Sequence, residues 1–218
     1  DKDMYTITPR TTATRLRERM SYDRELVHSV LDEAWVCHLS FVVDGEPRVL
    51  PTLHVRIGEV LYVHGSTGSR PLRSANPEGI KVSVAVTLLD GLVLARSQFH
   101  HSANYRSVVA HGTATVVTDP AEKSAVLTAI AEKIAAGRAA DTRPPTPKEL
   151  AQTSVLALPL VEVAAKMRTG GVNDEPEDYA LPHWAGVLPL RVVAGEPEPD
   201  KGVEGVPDYL RAVTGVTG

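Results

Sequence analysis

A single cysteine, Cys37, occurs among the 218 residues, together with two Phe and two Trp. One cysteine permits no intrachain disulfide, which suits a reducing compartment. Inside the apolar stretch Trp35–Val43 it reads as a core thiol rather than a nucleophile. No run approaches the roughly 18 apolar residues of a membrane span. Asp1-Lys-Asp-Met-Tyr5 lacks the basic-then-apolar order of a secretory leader, so the expectation is a cytoplasmic protein. An excess of positive charge is missing too. With 23 Lys+Arg against 27 Asp+Glu the formal net charge is −4, which argues against a nucleic-acid or anionic-membrane surface. GxSxG, a full Walker A and GxGxxG do not occur, leaving serine hydrolase, P-loop and Rossmann readings without a foothold. HExxH and His-x-His are also lacking. The adjacent His100 and His101 would point to opposite faces of a regular strand, so no metal site is expected.

The patterns that are present predict a mainly β chain. Asp23 can cap a helix with Leu26, Val27, Val30, Leu31 and Ala34 on one side. Trp35–Val43 alternates as a strand with one apolar face, Asp44-Gly45 is a hairpin signal, and strands follow at about 48–56 and up to His64. After a short helix at Ser69–Asn76, Ile80–Leu88 and Leu92–Ser97 read as a hairpin around Asp90-Gly91. A long strand from about Tyr105 to Val117 comes next. Asp119-Pro-Ala-Glu122 opens a helix that turns Val126, Leu127, Ile130 and Ile134 inward and stops at Gly137. Thr146-Pro-Lys-Glu149 restarts a short one, and Ser154–Lys166 and Gly186–Val193 read as the last strands. Short turn-separated strands with inserted helices predict an antiparallel split β-barrel of about six to eight strands with a few peripheral helices. The expected organisation is an N-terminal arm (1–20), one domain (21–193) and a C-terminal tail (194–218).

Three stretches carry the chemistry. Tyr62-Val-His-Gly-Ser-Thr-Gly-Ser-Arg70 runs from a strand through glycines into a helix start, where backbone N–H groups favour an anion. Ser69 is a good N-cap, and Arg70 and Arg73 add guanidinium groups able to grip a phosphate, so the stretch reads as a phosphate cradle. Phe99–Gly112 packs His100, His101, Ser102, Asn104, Tyr105, Arg106 and Ser107 into one strand entry. Two readings stay open there: a half-solvated polar strand, or a wall of donors facing a planar heterocycle. Lys166 and Arg168, with the later Trp184 and Arg191, could close over a ligand, although a lone Trp is more often a core or interface residue.

Together these residues resemble the pyridoxamine 5′-phosphate oxidase-like, FMN-binding split-barrel proteins, over about Thr12 to Val193. The markers are Leu61-Tyr-Val-His-Gly65 with Gly68-Ser-Arg70, Ser102-Ala-Asn-Tyr-Arg-Ser-Val108 before Gly112, Ala165-Lys-Met-Arg-Thr-Gly170, and Asp178-Tyr-Ala-Leu-Pro-His-Trp-Ala-Gly-Val-Leu-Pro-Leu190. The resemblance implies a homodimer with FMN at the subunit interface, a small-molecule substrate and flavin-dependent redox chemistry. It places Ser69 and Arg70 on the FMN phosphate. Pro71 stands where the family's segment has Lys, so Arg73 would substitute. Pro51, Thr52 and Leu53 would line the isoalloxazine edge with His64 and Gly65 beneath it. Asn104, Arg106 and Ser107 would fall near the later cofactor strand, and Trp184 and Arg191 would resemble the oxidase's terminal Trp…Arg pair. The oxidase's full basic and aromatic set for pyridoxamine phosphate is not found. His64 and His101 are the candidate proton donors, because imidazole titrates near neutral pH. Alternatives are a non-catalytic flavin carrier and a split barrel holding deazaflavin or haem.

Overall fold

Residues 2–65 and 78–214 are described by the computed structural model. A two-residue strand, β1 (Met20–Ser21), precedes helix α1 (Arg24–Glu33). The Asp23 carboxylate caps α1 by accepting the Leu26 amide at 2.9 Å. Val27, Val30 and Leu31 are buried at the spacing that a helix one face deep in the core requires. β2 (Val36–Val43) alternates as expected, burying Cys37, Leu39 and Phe41 and exposing Val36, His38 and Val42. Asp44 and Gly45 both take positive φ, 50° and 77°, the geometry of a tight two-residue hairpin into β3 (Glu46–Ile57).

β4 (Val60–Gly65), β5 (Ile80–Leu94) and β6 (Ser102–Val116) follow. Helices α2 (Pro120–Ile134) and α3 (Pro147–Gln152) come next, then β7 (Ser154–Pro159), β8 (Glu162–Arg168), β9 (Gly186–Pro189) and α4 (Asp208–Thr214). The strand order is β1-β8-β6-β7-β4-β3-β2-β5-β9, and β5 also pairs with β6. Six strands, β6-β7-β4-β3-β2-β5, therefore close in a ring, with β8 and β1 extending from β6 and β9 from β5. Leu39, Leu61, Val84, Val108, Leu156 and Leu158 belong to the main core. A smaller cluster of Val55, Tyr62, Val117 and Val155 is covered by Val126 of α2. The mainly antiparallel architecture is the one the sequence predicts. No helix among the described residues is long and apolar enough to cross a membrane.

Several local expectations change. Asp90-Gly91 makes no hairpin. β5 runs through it, with a bulge between Leu89 and Gly91, because both halves of β5 pair with β6. The bulge is held by Arg106, whose Nε and Nη2 each reach an Asp90 carboxylate oxygen at 2.9 Å, and by the Leu190 amide donating to the Asp90 carbonyl. Ser154–Lys166 is two strands rather than one, broken where the Leu160 amide turns to the Glu59 carbonyl. Ile134 is 44% exposed, not inward. In the N-terminal arm Tyr5 and Thr11 are each 4% exposed. The C-terminal tail carries α4. Tyr209 of α4 donates to Asp141 at 2.6 Å and accepts from Arg138 at 2.9 Å. The helix expected at Ser69–Asn76 lies outside the described residues.

Candidate functional site

Strand pairing sets one continuous outer face across β3, β2, β5, β6 and β8. Residues directly opposite one another share a face. One row reads Pro51, His38, Ala85, Val109, Ala164, and the next reads Val49, Ser40, Ser83, His111, Glu162. The β3–β2 end of this face is apolar and open to solvent: Leu53 is 43% exposed, Val36 48% and Val49 62%. Pro51 is also exposed. Thr52 is half-buried and its hydroxyl donates to the His64 carbonyl, tying β3 to the end of β4. His64 is half-buried opposite Val155 of β7. Pro51, Thr52, Leu53, His64 and Gly65 are thus brought to one end of β3 and β4. The phosphate cradle would follow directly, but Ser69, Arg70 and Arg73 lie outside the described residues.

The remaining candidates do not join that group. Pro51 and Ala164 stand four strands apart in one row, roughly 19 Å at about 4.8 Å per strand. Ser107 and Lys166, opposite each other on β6 and β8, belong to the far end, where the Ser107 hydroxyl donates to the Lys166 carbonyl at 2.8 Å. Arg106 is committed to Asp90 and to Glu33 of α1, and these carboxylates raise its already high pKa further. Asn104 accepts from Arg168 at 2.6 Å and donates to the Gly170 carbonyl at 2.9 Å, while Arg168 also donates to the Gly171 carbonyl at 2.8 Å. Buried Arg168 and Asn104 therefore hold the turn after β8. Trp184 is 71% exposed and rests on Gly186, where an added Cβ would come within 2.8 Å of the ring. Arg191 is exposed beyond β9. His101 is exposed, with Nδ1 donating to the Ser97 carbonyl at 3.0 Å. His100 pairs with Glu175 at 3.1 Å. Among the described residues no group of three or more His, Cys, Asp and Glu side chains could hold a metal ion.

A buried imidazole and a half-buried ammonium escaped sequence reasoning. His54 is 1% exposed, and its Nε2 donates to the Leu31 carbonyl at 2.8 Å. Its Nδ1 is left without a partner. Burial and the nearby Lys133 charge pull its pKa down to about 4. Lys133 reaches inward from α2 to the carbonyls of Ala34 at 2.5 Å, His54 at 3.3 Å and Leu31 at 3.4 Å, and lies 4.9 Å from the Trp35 ring centre. Burial pulls its ammonium down to about 8. The only signal was an isolated Lys on the apolar side of a helix. Both groups bond to carbonyls at the end of α1.

The geometry can be set beside known proteins. A family model described as pyridoxamine 5′-phosphate oxidase matches residues 23–167. The flavocytochrome Anf3 of Azotobacter vinelandii is 35% identical, over 94% of this chain and 97% of that one, with a TM-score of 0.87. An FAD and heme binding protein of Mycobacterium smegmatis is 37% identical, over 90% of this chain and 97% of that one, with a TM-score of 0.83. A putative 5-nitroimidazole antibiotic resistance protein of Bacteroides thetaiotaomicron shares the fold at 19% identity and a TM-score of 0.56, over 68% of this chain and 86% of that one. Among curated proteins none matches. A family match spanning most of the chain, and two relatives above one-third identity over nearly all of it, agree with the strand ring and its open apolar edge: the chain belongs to the pyridoxamine 5′-phosphate oxidase-like family.

Proposed function

We propose that the protein binds a flavin nucleotide at the β3–β4 end of its sheet, carries haem as a second redox group, and acts as an oxidoreductase. The observation that carries this reading is the likeness, over nearly the whole chain, to a flavocytochrome and to an FAD and heme binding protein. The second of these favours FAD over the FMN implied by the sequence resemblance.

The residues present fit a flat flavin ring and offer imidazoles to haem. Val36, Pro51 and Leu53 offer an apolar strip for a flat ring, and Thr52 fixes the neighbouring His64 backbone. Ser69, Arg70 and Arg73 would take the phosphate. Haem iron takes an imidazole nitrogen, and exposed imidazoles are present at His38, His101 and His183. In His101 the bond from Nδ1 to the Ser97 carbonyl commits that nitrogen and leaves Nε2 as the one a metal could take. When bound, a flavin supplies hydride or single-electron transfer at its ring. The chain's part is to bind, to exclude water along Val36 and Leu53, and to hold a proton at His64. The apolar end of the outer face, with Val42 and Val49 beside the strip, supports a homodimer in which a second copy covers the ring.

The test is an absorption spectrum of the purified protein after incubation with FAD, FMN or haem and desalting, with release and chromatography of the bound flavin. Retained FAD near one per chain, together with a Soret band, is expected. Arg70→Ala should weaken flavin retention, and Leu53→Glu should do so without unfolding the protein. Protein that retains neither flavin after reconstitution overturns the reading. Flavin retention without turnover of reduced nicotinamides or artificial acceptors would instead indicate a carrier.

A further inference from the structure

The far end of the outer face holds a pocket that the flavin reading does not use. The N-terminal segment crosses β8, pairs with it through Met20 and Ser21, and is fastened again at Glu162. That carboxylate accepts the Thr8 hydroxyl at 2.5 Å and the Arg10 Nε at 3.0 and 3.1 Å, and it also pairs with the Arg10 Nη2. Arg10 above all, and Thr8 with it, hold Glu162 down to about 2, so the fastening persists at any working pH. The chain continues as Thr11, Thr12 and Ala13 and becomes the wall of a pocket of about 190 Å³ over β6 and β8.

The pocket's chemistry is one-sided. Its floor is Val109 and Ala164, which are opposite each other in register. Its rim carries Lys166, Ser107 and His111. No carboxylate lines it, and Arg10, the other cation at its edge, is already neutralised by Glu162. The Lys166 ammonium has no acceptor among the described residues. His111 is turned by a 2.6 Å hydrogen bond between its Nδ1 and the Ser83 hydroxyl. The Ser107 hydroxyl is spent on the Lys166 carbonyl. A half-buried cation above an apolar floor favours one negative charge attached to an apolar body. The volume limits that body to about the size of a single ring.

We propose that this pocket binds a small organic monocarboxylate, its carboxylate on Lys166 and its apolar body on Val109 and Ala164. Within one chain the site lies four strands from the flavin strip.

The probe is benzoate, with benzyl alcohol as its neutral counterpart, titrated into the full chain at pH 7.5 and followed by calorimetry and ligand-observed NMR. Saturable benzoate binding near one per chain is expected, with benzyl alcohol at least tenfold weaker. Lys166→Gln should weaken benzoate at least tenfold, about 1.4 kcal/mol or more, and leave benzyl alcohol unchanged. Val109→Trp fills the pocket from the solvent side and should abolish binding of both, with circular dichroism confirming the fold. Lys148→Gln, on α3, should change nothing. Benzoate that fails to saturate, or that binds Lys166→Gln as it binds the wild type, overturns the proposal. So does benzoate that displaces flavin while ignoring Lys166→Gln. Flavin content measured in the same samples keeps the two readings apart: benzoate binding without flavin retention would sink the cofactor assignment alone.

Discussion

Replacing His54 by Gln should flatten the acid sensitivity of the fold. In the native protein the imidazole is neutral, with Nε2–H on the Leu31 carbonyl and Nδ1 facing no acceptor. A proton on Nδ1 would create a buried charge with nothing to bond to, close to the Lys133 ammonium, and Asp32 opposes this only weakly. The folded pKa is about 4 against an ordinary 6.5. Because the folded value is depressed for a base, the unfolded chain takes up the proton first. The stability is present above pH 6.5 and is lost as pH falls from 6.5 toward 4. A gap of about 2.5 pH units at about 1.36 kcal/mol each caps the effect at about 3.4 kcal/mol, of which roughly 2.5 kcal/mol is lost between pH 7.5 and 4.5. Gln keeps a side-chain N–H for Leu31 and does not titrate. Urea unfolding of both proteins at the two pH values isolates the difference. The wild type should lose roughly 2.5 kcal/mol more than His54→Gln over that interval. Equal losses in the two proteins would refute the assignment of the acid sensitivity to His54.

Three further perturbations probe the frame around the site. Gly79 has φ of 90°, and an added Cβ would stand 2.6 Å from the Ala114 carbonyl oxygen, so Gly79→Ala should destabilise by at least about 1–3 kcal/mol in thermal or urea unfolding. Thr146 and Glu149 cap each other's backbone at the start of α3, and Thr146→Ala should cost about 1 kcal/mol by urea titration. Cys37 is fully buried and burial pushes its thiol up to about 11, so a thiol reagent at pH 8 should label it only as fast as the protein unfolds.

The features readable from sequence are those fixed by neighbours along the chain. The Asp23 cap, the Asp44-Gly45 hairpin and the Thr146–Glu149 capping box each depend on residues within a few positions, and each forms where expected. Asp90-Gly91 carries an equally good local turn signal, yet long-range pairing with β6 and the Arg106 guanidinium prevail over it. His54 was hidden for a related reason. β3 pairs with β2 up to Leu53 and with β4 from His54 onward, so strict alternation fails and His54 and Val55 are both buried. Pro51 and Leu53 were singled out only by the family resemblance; the structure shows both as exposed positions on β3. The commitments of Arg106 to Asp90 and of Asn104 to Arg168 and the Gly170 carbonyl were not legible, because those partners are 16 to 66 residues away in the chain.

The ring also sets an order of events as the chain emerges during synthesis. β4 finds one neighbour at once, in β3, but its other neighbour is β7, which follows two further strands and two helices. Until β7 arrives, the outer edge of β4 offers a row of unpaired N–H and C=O groups right beside His64. An open edge of that kind is a template for joining other chains. A nascent chain halted before β7 would therefore hold the proposed cofactor strip beside an adhesive edge, and the late strand acts as the seal on the ring.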